Sequence, residues 1–170
     1  MAQVHLAAWR STYAGILPEA YLASLSSMRE SLDYGHAILE RRGGHAGFVA
    51  IAQEGAGGVV GFTTGGLSRR PGIADGEIET LYLLDDYRER GIGRRLMRAM
   101  ASHLASLSAN SAFVWVLEQN PSRWFYERLG ARIAAREEMS FAGQKTTQVA
   151  YAWPSIHTLL SATATTRLPR

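Results

Sequence analysis

The sequence predicts an α/β protein, in which short strands and amphipathic helices alternate along the chain. Apolar residues recur with helical spacing in several segments, most clearly at Leu96, Met100 and Leu104. Runs of β-branched and aromatic residues, bounded by glycine or proline, mark the strands between those helices. Over residues 81–96 a strand passes through two glycines directly into a helix. The chain has 170 residues, a length that normally forms one domain.

The first 44 residues carry three helical patterns, each with its own boundary signal. Trp9 and Tyr13 lie four residues apart, on one side of the first helix. Pro18 can open a second, short helix, because the first helical position needs no N–H donor. Gly43 and Gly44 end the third. The predicted bounds are 3–14, 18 to about 26, and 28–41.

Three strands follow, and the spacing of their turns fixes their limits. Residues 45–53 alternate around Phe48 and Val49, and the glycine-rich turn 55–58 joins them to a partner strand over 59–67. A polar loop over 68–76 then leads to a strand over 77–84.

The rest of the chain repeats the alternation. A helix over 92–107 precedes a strand over 112–117, and the next helix starts at Pro121 with Asn120 as N-cap and Gly130 as C-cap. The last two strands, at about 132–141 and 146–153, meet at the turn Ala-Gly-Gln-Lys. We therefore expect one domain over 1–156, followed by a loose tail, rich in Thr, Ala and Ser, over 157–170.

Composition limits the classes of function. Hydrophobic residues make up 46% and charged residues 19% of the chain, as in ordinary globular proteins. Apolar runs stay far below the roughly 20 residues that cross a bilayer, and no secretory signal is recognisable, so we expect a cytoplasmic protein without a membrane partner. The absence of cysteine excludes disulfides, thiolate metal sites and any covalent intermediate on a cysteine. The five histidines lack metal-ligand spacing, so no metal is expected.

The turn at Gly91 and Gly93 has the features of an anion site. A helix that starts after a glycine turn presents unpaired backbone N–H groups, and its dipole adds roughly half a positive charge. Glycine has no Cβ, so a phosphate can approach the main chain closely. A nucleic-acid groove would need interleaved aromatics and a wider basic stripe, so we expect a pyrophosphate and no nucleic acid. Five arginines lie within the eleven residues from 88 to 98, at and after this turn: Arg88, Arg90, Arg94, Arg95 and Arg98.

Two motifs narrow the choice of pyrophosphate. Leu96 stands where a dinucleotide fingerprint needs its third glycine, and no Walker A pattern occurs. The R-x-x-G-x-G of Arg88, Gly91 and Gly93, preceded by a strand, resembles motif A of the GNAT superfamily, the Gcn5-related N-acetyltransferases, which use acetyl-CoA. Residues 120–131, Asn-Pro-Ser-Arg-Trp-Phe-Tyr-Glu-Arg-Leu-Gly-Ala, resemble motif B of the same superfamily. The resemblance covers roughly residues 4–153.

This resemblance implies a particular α/β architecture. The expected GNAT fold has a central mixed, mostly antiparallel sheet, splayed between the family's fourth and fifth strands, with helices on both faces. Most members begin with a strand before the first helix, whereas this chain starts almost inside that helix. An uncovered edge strand invites pairing with another chain, so we include a homodimer among the expected partners.

The resemblance also implies which residues contact acetyl-CoA. The arginines of the turn should contribute chiefly backbone N–H groups, while Asn120 either bonds the pantetheine arm or caps its helix. The expected cofactor-binding residues are Leu81, Tyr82, Leu83, Arg88, Glu89, Arg90, Gly91, Ile92, Gly93, Arg94 and Asn120.

Three residues are candidates for catalysis. Tyr126 matches the tyrosine that protonates the departing CoA sulfur in many members, although a core aromatic is the alternative. Glu77 matches the glutamate that acts as base in several members, directly or through water. Glu79 is a second candidate, and because strand side chains alternate, both glutamates should share a face with Leu81 and Leu83. The alternative is that both are solvated charges.

We therefore expect an enzyme, an N-acetyltransferase that moves an acetyl group directly from acetyl-CoA to a primary amine in a ternary complex. The alternative is a non-catalytic acyl-CoA-binding or sensing module. A small-molecule amine is the expected acceptor, with a peptide or protein amine as the other option. The loop over 68–76 and the aromatic residues Trp9, Tyr13 and Tyr21 should line its pocket.

Overall fold

The computed structural model describes residues 1–40, 42–53, 57–70, 72–141 and 143–164. Six strands form one sheet, and six α-helices accompany it within these ranges. The predicted turn at 55–58 lies partly outside the described residues, and residues 165–170 of the predicted tail lie wholly outside them. The helices are α1 (Ala2–Thr12), α2 (Glu19–Ser24), α3 (Ser27–Glu40), α4 (Ile92–Ser106), α5 (Arg123–Arg128) and α6 (Ile156–Ala162). The strands are β1 (Ala46–Ala52), β2 (Gly58–Leu67), β3 (Gly76–Leu83), β4 (Ala112–Leu117), β5 (Arg132–Phe141) and β6 (Gln144–Trp153).

The sheet has the strand order β1-β2-β3-β4-β6-β5, and it is parallel at one junction. There β3 and β4 pair over three residues, from Gly76 opposite Ala112 to Ile78 opposite Val114. Beyond these pairs the two strands part, while β2 continues beside β3 and β6 continues beside β4. The expected mixed, mostly antiparallel sheet is confirmed. Its splay lies between β3 and β4, which stand where the family has its fourth and fifth strands.

The main core lies between the sheet and α4. Met100 and Leu104 of the predicted apolar stripe of α4 are fully buried, as is Met97 beside them, and all three pack against Ile78 and other side chains of the sheet. The opposite face carries α1 and α3. There the Tyr34 ring meets Phe62 of β2 edge to face, with 5.2 Å between centroids. The expectation of helices on both faces is therefore met.

Helix α6 corrects the expected tail. Residues Ile156–Ala162 form a helix in which Ile156 and Leu159 are buried beside α4, so this part of the tail belongs to the core. The backbone N–H of Ile156 donates to the carbonyl of Asn110 at 2.7 Å. From the other side, Arg98 donates to the carbonyl of Leu160 at 2.9 Å. Burial of these apolar side chains, which lie at helical spacing, stabilises the helix although the residues that follow it are mostly polar.

Candidate active site

A cleft of about 430 Å³ opens where β3 and β4 part. It is bordered by the end of β3, the start of α4, the segment after β4 and the end of α1. Ten of the fourteen predicted site residues line it: Leu81, Tyr82, Leu83, Arg88, Glu89, Gly91, Gly93, Arg94, Asn120 and Tyr126. The four that do not line it are Glu77, Glu79, Arg90 and Ile92.

The edge of β3 that faces this cleft is open. Strand β3 loses its partner β4 after Ile78 but runs on to Leu83. Its other edge stays paired with β2, where Leu83 lies opposite Gly61. An unpaired strand edge can accept an extended chain of alternating donors and acceptors. The part of β3 beyond Ile78 is therefore suited to bind a linear amide-containing ligand.

The first turn of α4 supplies a second set of donors. Gly91 precedes the helix in the left-handed conformation, with φ of 74°, which glycine adopts at little cost. Arg95 donates the first bond of the helix, to the carbonyl of Gly91 at 3.1 Å. The N–H groups of Ile92, Gly93 and Arg94 consequently have no acceptor inside the helix, and the helix dipole makes their end positive.

Gly93 sets the width of the cleft beside these donors. A Cβ added to Gly93 would lie 3.5 Å from the ring of Phe125 in α5. A Cβ would therefore be in ordinary van der Waals contact with Phe125, with little room beyond it in that direction. A side chain that extends beyond Cβ, such as that of valine, would occupy the space between the first turn of α4 and Phe125.

The arginines of the turn have different partners. Arg88 donates to Thr12 of α1 at 3.1 Å and pairs with Asp85 at 2.8 Å. Arg90 lies outside the cleft, with its guanidinium 5.3 Å from the ring centre of Tyr87. Arg88 therefore ties the turn to α1, which sequence spacing alone does not indicate.

Asn120 connects two walls of the cleft. Its Nδ2 group donates to the hydroxyl of Tyr13 at 2.9 Å, and its Oδ1 atom accepts the backbone N–H of Ser122 at 2.8 Å. Helix α5 begins at Arg123 with Ser122 as N-cap, so the predicted start at Pro121 with Asn120 as N-cap is wrong. The asparagine stabilises a turn before the helix instead, a local bond that competes with capping.

Tyr126 lines the cleft from α5 and is 8% exposed. Its ring stacks on Tyr151 of β6, with 6.1 Å between centroids. Burial, assisted by the nearby Tyr13, raises the pKa of the Tyr126 phenol well above its usual range. The hydroxyl group therefore keeps its proton at neutral pH and is available as a hydrogen-bond donor.

The two glutamates share one guanidinium. Arg69 Nη2 lies 3.3 Å from Glu77 Oε1 and 3.4 Å from Glu79 Oε1, and His45 Nε2 lies 2.7 Å from Glu79 Oε2. Burial alone would raise the pKa of the Glu79 carboxyl, but the bond and charge of His45, together with Arg69, lower it overall. Both carboxylates thus have charged or polar partners, and neither is a freely solvated charge.

A β-bulge corrects the expected side-chain alternation of β3. Thr80 pairs with Thr64 of β2 and Ile78 pairs with Gly65, so Glu79 has no partner on β2. The extra residue resets the alternation. As a result Leu81 packs with Ile78 against the core of α4, and Glu77 lies on the opposite face from both. The expectation that Glu77 shares a face with Leu81 and Leu83 is wrong.

The sequence does not reveal that Arg69 and His45 are partners of these carboxylates. Arg69 lies in a polar loop with no motif, and His45 reaches Glu79 across the sheet from the residue before β1. Within the described ranges, no three His, Asp or Glu side chains gather as metal ligands would. The same residues include no helix that is long and apolar enough to span a membrane.

Comparison with known proteins agrees with the architecture of the cleft. Residues 63–140, which contain β3, α4 and α5, match the family model described as FR47-like protein. The uncharacterized N-acetyltransferase YuaI of Bacillus subtilis is 34% identical over 94% of this chain and 88% of its own length. The chain belongs to the GNAT superfamily. A second relative, the probable N-acetyltransferase Rv2775 of Mycobacterium tuberculosis, is 30% identical over 80% of this chain and 75% of its own length.

A solved structure supports the same fold. The PaiA N-acetyltransferase of Thermoplasma acidophilum, crystallised in complex with coenzyme A, superposes with a TM-score of 0.67. It is 20% identical, and the match covers 87% of this chain and 88% of that one. The GNAT fold inferred from motifs A and B is thus confirmed.

Proposed function

We propose that this GNAT protein is an acetyl-CoA-dependent N-acetyltransferase that transfers the acetyl group directly to a primary amine. The observation that carries the proposal is the cleft between β3 and β4, which joins an open strand edge to three free N–H groups of α4. The YuaI and Rv2775 relatives, both described as N-acetyltransferases, support the same activity.

The residues of the cleft fit the two parts of coenzyme A. A pyrophosphate suits the N–H groups of Ile92, Gly93 and Arg94, because anions bind helix N-termini through such donors. The pantetheine arm, with its amide groups, suits the open edge of β3 over residues 81–83. Asn120 keeps the opposite wall in place through its bond to Tyr13.

The chain has no cysteine, so the proposal is a direct attack of the amine on the thioester in a ternary complex. Acetyl-CoA supplies the activated acyl group. In the proposal, Tyr126 holds a hydrogen bond to the leaving sulfur. Its raised pKa makes full proton transfer to a thiolate unfavourable, because an ordinary thiol has a pKa near 8.5. Tyr126 then acts by hydrogen-bond stabilisation of the developing negative charge.

A base must remove the proton of the acceptor amine, since amines with a pKa near 10 are mostly protonated at neutral pH. We assign this role to Glu77, acting through water because Glu77 does not line the cleft. Glu79 is the weaker candidate, since its lowered pKa reduces its affinity for a proton.

The acceptor in this proposal is a small-molecule amine, and a peptide or protein amine is the second option. The aromatic residues Trp9, Tyr13 and Tyr21 form one cluster at the end of α1, close to Leu117, where β4 ends. Cytoplasmic placement and self-association at the edge strand β1 belong to the same proposal. Neither is needed for the chemistry.

The competing function is a non-catalytic acyl-CoA-binding module. A screen that measures release of free CoA from acetyl-CoA across classes of amine distinguishes the two. An enzyme releases CoA only when a suitable amine is present, and the acetylated amine appears in equal amount. A binding module gives a saturable acetyl-CoA isotherm by calorimetry, with no CoA release above the background for any amine.

A further inference from the structure

Two consecutive arginines in the loop between β2 and β3 reach opposite halves of the splayed sheet. Arg69 contacts Glu77 and Glu79 of β3 at 3.3 and 3.4 Å. Arg70 donates to both carboxylate oxygens of Glu137 on β5, at 2.7 and 2.8 Å. The loop therefore bridges the two halves of the sheet on the face that carries Glu77.

Arg69 is anchored on one edge and open on the other. Its Nε and Nη2 groups donate to Glu77, and Nη2 also contacts Glu79. Its Nη1 group makes no bond to any residue that the structure describes, and 73% of the side chain is exposed. The two N–H donors of Nη1 are therefore available to a ligand carboxylate, with which a guanidinium forms charge-assisted hydrogen bonds. Because two carboxylates already hold this one, little side-chain freedom is lost when a ligand binds its open edge.

The position of Arg69 beside the proposed base places its guanidinium close to the path of the acceptor amine. Glu79 is the first residue of β3 beyond the pairing with β4, and Glu77 lies within that pairing. An amine that gives its proton to Glu77 through water must come close to the Arg69 guanidinium. A plain monoamine would meet a like charge there. An acceptor with a carboxylate a few bonds from its amine meets opposite charges at both ends.

We propose that Arg69 is the residue that selects the acceptor, and that it binds the carboxylate of a small amino acid whose amine is acetylated. The inference rests on the proposed function and names the substrate class of that site. In such an acceptor the amine and the carboxylate are on the same or neighbouring carbons. This short separation corresponds to the short distance between the Arg69 guanidinium and the two glutamates.

The experiment compares α-amino acids with their carboxamides, measured as kcat/KM for CoA release. The carboxamide amine is less basic and therefore more often neutral, so chemistry alone favours the carboxamide. The wild-type protein should nevertheless use the amino acid at least about tenfold better. In Arg69→Met the KM for the amino acid should rise and the preference should disappear. Arg69→Lys should keep only part of the preference, because lysine retains the positive charge but lacks the planar guanidinium with its several N–H donors.

The matched control is Arg132→Met, which removes an exposed arginine on β5 and should retain the preference.

Several outcomes would overturn this assignment. They are a wild-type enzyme that uses the carboxamide as well as the amino acid, an Arg69→Met variant that keeps the preference, and acetylation only of amines without a carboxylate. In that last case acetyl transfer stands and the choice of acceptor is wrong. If acetyl-CoA binds but no amine of any class is acetylated, both the acceptor assignment and the transferase function fail. Calorimetry with the amino acid and CoA together gives a second readout, in which Arg69→Met should weaken amino-acid binding while CoA binding stays unchanged.

Discussion

The imidazole of His5 lies flat on the ring of Tyr82, with 4.7 Å between their centroids and 10° between their planes. Tyr82 lines the cleft, and His5 is a buried residue of α1. His5 Nδ1 also lies 3.0 Å from the Tyr34 hydroxyl and 2.9 Å from a Glu30 oxygen, both on α3. One imidazole therefore connects two helices to the strand that forms a wall of the cleft.

This arrangement predicts that stability falls in mild acid. Burial lowers the pKa of His5 from 6.5, although Glu30 opposes the shift. Below about pH 6.5 the unfolded chain therefore binds more protons at this position than the folded chain, so the free energy of unfolding declines as pH falls. Urea unfolding at pH 7.5 and 5.5 measures the decline, and His5→Gln should reduce it. This window avoids Glu79, whose lowered pKa affects stability only near or below its usual value of 4.5. If His5→Gln shows the same decline as the wild-type protein, the loss of stability does not arise from His5.

Gly93→Val should weaken acetyl-CoA binding at least tenfold, or about 1.4 kcal/mol. The added side chain would enter the space between the first turn of α4 and Phe125, where the proposed pyrophosphate meets the backbone. Calorimetry measures the affinity. Gly35→Ala is the matched control, because a Cβ there meets nothing within 4 Å. Unchanged affinity in Gly93→Val would exclude this turn from the cofactor site.

Tyr126→Phe should lower kcat by roughly 10²-fold while acetyl-CoA affinity stays nearly constant. The ring still packs on Tyr151, so the change removes a hydrogen-bond donor and little else. Steady-state assays of CoA release measure kcat, and a binding isotherm measures the acetyl-CoA affinity. A variant as fast as wild type would leave Tyr126 as a core aromatic.

Glu77→Gln should lower the rate strongly near neutral pH and recover part of it in alkali, where more of the amine is already neutral. Acetyl-CoA affinity should not change, because Glu77 lies outside the cleft. The pH–rate profile is the measurement, with Glu79→Gln as the parallel variant. A wild-type profile for Glu77→Gln together with a changed one for Glu79→Gln would move the role of base to Glu79.

The parts of the fold that depend on local sequence could be predicted. Helix α4 follows from its apolar stripe, and the donors at its start follow from the glycine turn. Contacts between distant segments could not. The bulge at Glu79 arises from the register between β2 and β3, and Asn120 finds Tyr13 107 positions away in the chain. Helix α6 was not predicted because it is short and leads into a stretch rich in Thr, Ala and Ser, while its burial depends on contacts of Ile156 and Leu159 with α4.

The central claim is that the acetyl group passes directly from acetyl-CoA to an amine while both occupy the protein. Initial rates measured with acetyl-CoA and the amine varied together test it most directly. Direct transfer in a ternary complex predicts double-reciprocal lines that intersect, with one acetylated amine formed for each CoA released. Parallel lines would indicate an acetylated enzyme intermediate and would contradict the account.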